Sequence, residues 1–74
     1  MKNNQQYVLE NLAYNLKTER EKQKISQEEL SFRSDLHKNY ISDIELAKRN
    51  PSIKSLLKLA NGLEIDWLDL LKET

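Results

Sequence analysis

Between positions 37 and 46 the chain reads His37-Lys38-Asn39-Tyr40-Ile41-Ser42-Asp43-Ile44-Glu45-Leu46, a run dense in hydrogen-bonding side chains. Ile41 and Ile44, three residues apart, share one face of a helix, and Asn39, Ser42, Asp43 and Leu46 project from the other. That second face offers an amide, a hydroxyl and a carboxylate to something outside the chain. The residue types do not suit catalysis. His37 is the single histidine, cysteine is absent, and Glu28-Glu29 is better explained by helix capping than by acid–base work. No catalytic residue, metal-ligand set or cofactor is expected.

The elements that position this run are short. Ser26 followed by Glu29 forms a capping box, so a helix starts just after Ser26 and turns Leu30 inward. Ser34-Asp35 ends it, because both side chains compete for backbone hydrogen bonds and aspartate tolerates a left-handed conformation. The turn falls at Ser34 to His37 and the polar run forms the next helix. Two helices with apolar anchors only on their inner sides make a helix-turn-helix, whose second helix fits a DNA major groove; a merely structural helix pair has the same pattern.

Seventy-four residues make one domain, of a size at which a partner subunit often completes the core. The absence of cysteine excludes disulfides and thiolate metal sites, and no apolar stretch is long enough for a membrane span or signal peptide, which points to the cytoplasm. One glycine, one proline and no alternating β-branched run specify an all-α bundle. Net charge is zero but polarised: Lys17 to Lys58 holds ten basic and seven acidic residues, Glu64 to Thr74 one and four. The positive part contains the polar run.

Five helices are expected. Residues 1–6 read as a flexible polar tail and residues 7–74 as the folded domain. Val8, Leu9, Leu12, Ala13 and Leu16 give the first helix, to about Lys22, a buried stripe, and Ile25 acts as a hydrophobic staple before Ser26. After the basic loop Leu46 to Pro51, Ser52 caps a fourth helix through Asn61, and Asn61-Gly62 stops it with Gly62 in the left-handed position. Asp66 caps a fifth helix bearing Trp67, Leu68, Leu70 and Leu71. Its apolar surplus assigns Ile65, Trp67, Leu70 and Leu71 to a subunit interface, although Trp67 serves equally well to close the monomer core.

With these elements in order, the chain resembles the Cro and phage-repressor family of helix-turn-helix proteins from about Leu9 to Leu71. The resemblance rests on Arg20, Ser26-Gln27-Glu28-Glu29-Leu30, Tyr40-Ile41-Ser42-Asp43-Ile44-Glu45, Asn50-Pro51-Ser52-Ile53 with Leu56, and Ile65-Asp66-Trp67-Leu68. In size, and in the segments Tyr40 to Glu45 and Lys48 to Ser52, it is also similar to the compact controller proteins of restriction–modification systems.

The likeness implies a five-helix domain acting as a homodimer on near-palindromic double-stranded DNA, with no small-molecule ligand. It assigns base edges to Lys38, Asn39 and Asp43, with Ser42 and His37 at the margin. Phosphate contacts fall to Gln27, Lys48, Arg49, Asn50 and Ser52. Arg20 and Glu45 become an ion pair tying the first helix to the recognition helix. The side-chain chemistry is compatible: lysine donates to guanine, asparagine pairs with adenine, and aspartate accepts from cytosine. The family favours glycine where Asp35 and Ala47 stand, so the exit from the recognition helix is expected to differ in shape. The alternative from another class is a protein-interaction module of the same fold, of the antitoxin or coactivator type.

Overall fold

Side-chain caps decide where the helices begin. In the computed structural model, which describes residues 3–73, they are α1 (Asn4–Lys22), α2 (Gln27–Ser34), α3 (Lys38–Glu45), α4 (Ile53–Leu63) and α5 (Trp67–Leu71). Ser26, Ser52 and Asp66 cap α2, α4 and α5 as expected, accepting from the backbone N–H of Glu29, Ser55 and Leu68 at 2.9, 3.1 and 2.9 Å. Only the serine half of the expected capping box forms, because the Glu29 carboxylate turns to Arg33 at 3.0 Å and not to the Ser26 N–H. Asn3 caps α1 by accepting from Gln6 N–H at 2.7 Å. The helix therefore starts before Tyr7, and residues 4–6 are helical rather than tail. The expectation for Met1 and Lys2 lies outside the described residues.

The helix ends share one device. Lys24, Asp35, Ala47 and Glu64 have φ of 60, 59, 59 and 57°. After each, the next N–H reaches back five residues: Ile25 to Arg20, Leu36 to Ser31, Lys48 to Asp43 and Ile65 to Ala60. These are Schellman turns built without glycine. Ile25, Leu36 and Ile65 then fold onto the core. After α3 the corresponding residue is Lys48, and it stays exposed. Ala47 thus takes the left-handed turn after all, at roughly 1 kcal/mol, because the two Schellman hydrogen bonds hold it there.

Gly62 does not cap α4. It is buried inside the last turn, and Glu64 is the left-handed residue. A Cβ at Gly62 would lie 3.2 Å from Leu30 Cδ1 and 3.3 Å from the Cβ and backbone N of Ser34. The glycine lets α4 approach α2, a close-contact role rather than a conformational one.

Leu12, Leu16, Leu30, Ile41, Ile44, Leu56, Leu59, Leu63 and Leu70 form the core. Val8 and Tyr7 are exposed, so the stripe of α1 is narrower than its sequence implies. Leu70 is fully buried within its own chain, which removes it from the expected subunit interface. A helix of five residues has one inward face, and Leu70 occupies it where α5 meets α1 and α4.

Gly62→Ala should not show the usual gain of about 1 kcal/mol for alanine inside a helix. Overpacking against Leu30 and the backbone of Ser34 outweighs it, giving a net loss of about 1 kcal/mol in urea unfolding.

Candidate nucleic-acid interface

Two polar side chains of α1 and that of its C-cap, Gln23, hold the other helices in place. Asn15, itself buried, donates to the carbonyls of Leu70 and Lys72 at 3.0 and 2.8 Å and satisfies the end of α5. Gln23 donates to the carbonyl of Leu63 at the end of α4 at 2.7 Å. Arg20 reaches α3: its Nε and Nη2 donate to the two carboxylate oxygens of Glu45 at 2.7 and 3.0 Å, and its Nη1 to the carbonyl of Ile25 at 2.9 Å. The expected Arg20–Glu45 pair therefore exists as a bidentate bridge, with side-chain exposures of only 12 and 4%.

The hydrogen bond to Glu45 holds the Arg20 guanidinium above its ordinary pKa, against the opposing effect of burial and with added attraction from Glu45 and Glu21. A raised folded-state value means that the contribution is complete at every pH below arginine's unfolded value. It is lost only as pH rises through the folded one, far above neutrality.

Gln27 behaves differently from its expected phosphate role. Its amide donates to Glu45 Oε1 at 3.0 Å, so one of its two N–H groups is committed inside the protein, and α1, α2 and α3 meet at a single carboxylate. The amide keeps one further donor and sits in the first turn of α2, where backbone N–H groups favour an anion.

On the outward side of α3, Lys38 and Asn39 are exposed and Ser42 and Asp43 are half-buried, while Ile41 and Ile44 point into the core. His37 has a local task that the sequence reading missed. Its Nδ1 accepts from Asn39 N–H at 3.0 Å and caps α3. Histidine is not among the favoured cap residues, so composition carries no signal for this. Asn15 did leave one, since it and Asn11 stand four apart beside Leu12 and Leu16 in a stripe that is otherwise apolar.

The basic loop is also placed. Lys48 and Asn50 are exposed, and Ser52 is exposed while its hydroxyl caps α4. Arg49 turns back onto α3: Nη2 lies 3.5 Å from Asp43 Oδ2, and its guanidinium carbon lies 5.1 Å from the centroid of the Tyr40 ring. Asp43 and Arg49, assigned separately to a base and a phosphate, are thus partners in the free chain. Away from this face, Trp67 and Leu68 are 40 and 56% exposed, and Ile65 and Leu71 are partly buried against the core.

A short helix pair with an outward polar face, locked to α1 by a buried bridge, defines a helix-turn-helix domain. The helix-turn-helix family model matches residues 16–70, and the chain belongs to that family. Its relatives include restriction–modification controllers. Control protein C.BamHI of Bacillus amyloliquefaciens is 45% identical over 53 residues; the match spans 72% of this chain and 65% of that protein's length. The crystal structure of the controller C.AhdI from Aeromonas hydrophila superposes with a TM-score of 0.82 at 35% identity, covering 84% of this chain and 94% of that one. The controller C.Esp1396I bound to a 19-base-pair DNA duplex superposes at 0.80 with 34% identity, covering 86 and 85%.

Glu45→Ala should lower stability by about 3 kcal/mol in urea unfolding, because it leaves Arg20 without its counter-charge and Gln27 without an acceptor. Replacing the pair together, Arg20→Met with Glu45→Leu, should recover most of that stability, since an apolar pair of similar volume avoids the cost of burying charge. Equal losses in the single and double variants would contradict this account.

Proposed function

We propose that this chain is a sequence-specific DNA-binding transcriptional regulator, without catalytic activity, that acts as a homodimer on a near-palindromic operator. The outward face of α3 carries the reading, because the side chains of Lys38, Asn39 and Ser42 have no hydrogen bond or ion pair among the described residues that would explain their placement. Lys38, Asn39 and Ser42 supply base contacts, and Asp43 belongs to the same surface. His37, committed to its cap, approaches from the margin. Lys48, Asn50, the α4 N-terminus at Ser52 and the remaining Gln27 donor grip phosphates on either side. The DNA-bound C.Esp1396I, a protein of the same fold, supports the assignment of the partner. Such a regulator works in the cytoplasm of a bacterial cell, and control of a restriction–modification system is the role its relatives suggest.

Geometry supports dimerisation. Eight residues of α3 extend ~12 Å and read one groove segment, so a second half-site one turn away, ~34 Å along the duplex, needs a second copy. Among the exposed apolar residues, Trp67 and Leu68 on α5, with the partly buried Ile65 and Leu71 beside them, are the ones we assign to that contact. Leu70 supports it from below.

A labelled duplex from upstream of the protein's own gene, titrated beside a scrambled duplex at several salt concentrations, tests this reading. Two chains per upstream duplex, retained at salt that strips the scrambled one, are expected. Loss of both together would favour the interaction module instead, a reading that the 85% exposure of Phe32 on α2 supports.

Two substitutions separate the roles. Asn39→Ala should cost about 1–3 kcal/mol at one base position, whereas Lys48→Ala should weaken all sequences alike and reduce the salt slope by about one. Trp67→Ala should shift the chain toward monomer in sedimentation while its unfolding stays cooperative. A fully dimeric Trp67→Ala protein would move the interface elsewhere.

A further inference from the structure

The loop residue Arg49 stands apart from the other cations around α3. Lys38 and Lys48 project without an ion-pair partner among the described residues, as charges free to follow a phosphate would. Arg49 is held from two sides: Asp43 takes Nη2 at 3.5 Å, and the Tyr40 ring lies 5.1 Å from the guanidinium carbon. Both partners belong to α3. Asp43 follows Asn39 by one helical turn, so its carboxylate lies on the outward face, and Arg49 is carried from the loop onto the edge of that face.

The geometry points to Arg49 as a guanine-reading residue, with Asp43 and Tyr40 as the positioning groups that aim it. This inference rests on the DNA-binding reading above and changes the role of two residues within it. A guanidinium has five donors in a planar fork, and Asp43 engages one end. The remaining N–H groups match the paired N7 and O6 acceptors of guanine in the major groove. A ring at its side restricts the fork before contact, so less freedom is lost when the two bonds form. Asp43 then acts through Arg49. Its negative charge, which alone would repel phosphates, is balanced by the cation it orients.

The half-exposed pair, at 54 and 40%, leaves the guanidinium room to meet an external partner without leaving Asp43. A purely phosphate-bound Arg49 would need only its charge, and neither the carboxylate nor the ring would serve that contact.

The test uses the full chain and a pool of duplexes with randomised positions, with the bound fraction sequenced for wild type, Arg49→Lys and Asp43→Asn. Arg49→Lys keeps the charge and removes the fork, and both changes lie on the surface, so folding is retained. Wild type should enrich a G·C pair at one position of each half-site. Arg49→Lys should lose that preference by about tenfold or more while keeping the position that depends on Asn39 and the wild-type salt slope. Asp43→Asn should weaken the preference at the same position and at no other. Retention of every preference by Arg49→Lys would overturn the assignment, and so would an Asp43→Asn effect at a position that Arg49→Lys leaves intact. Absence of any enrichment by wild type would overturn the DNA-binding reading and this assignment with it, a result distinct from the other two.

Discussion

One carboxylate governs the orientation of the reading helix. Glu45 is the last residue of α3 and accepts two hydrogen bonds from Arg20 on α1 and one from Gln27 on α2. Apolar contacts tolerate small slides, because Ile41 and Ile44 would still find leucines if α3 rotated by a few degrees. A buried charge does not. Displacing α3 would leave Glu45 or Arg20 desolvated and unpaired, which costs more than the pair itself gains. The bridge therefore adds little net stability over an apolar pair and much angular definition. Its place at the carboxyl end of α3 leaves the outward residues Lys38, Asn39 and Ser42 unencumbered.

The same helix shows how packing and surface chemistry are divided along a repeated motif. Each of the first four helices ends in a Schellman turn with a left-handed residue, and none of those residues is glycine. Where the following side chain is Ile25, Leu36 or Ile65, the turn drives it into the core and anchors the next element. Where it is Lys48, the identical backbone delivers a cation beside α3. The loop from Lys48 to Asn50 is thus tied at its start to the reading helix by the hydrogen bond from Lys48 N–H to the Asp43 carbonyl at 2.8 Å, next to which Arg49 begins.

What was legible in the sequence was what depends on neighbours in sequence. Caps at Ser26, Ser52 and Asp66, the turn at Asp35 and the inward pair Ile41 and Ile44 follow from side-chain oxygens and helical spacing, both local properties. The Arg20–Glu45 bridge spans 25 residues and was accessible only through family likeness. Gly62 was misjudged because an Asn-Gly pair resembles a helix stop until the distance from α4 to α2 is known. Leu70 was misplaced for a related reason. Four apolar residues on a short helix exceed one face, but only the packing of α1 against α5 says which of them faces in. Asp43 and Arg49, six residues apart, became partners through the left-handed turn at Ala47, a conformation alanine's propensity argues against.

The neutral net charge acquires a meaning from this arrangement. A regulator relying on phosphate neutralisation carries a broad basic face, and its affinity falls steeply with salt. Here Lys38 is the single cation of α3 and has no ion-pair partner among the described residues, the charge of Glu45 is consumed by Arg20, and that of Asp43 is matched by Arg49. On α3 itself little charge is left for phosphates, so discrimination in the proposed function comes from oriented hydrogen-bonding groups rather than from field strength. Such groups lose their value if the helix that carries them is misaimed by an ångström. That requirement accounts for the expense of burying an arginine and a glutamate in a domain of 74 residues.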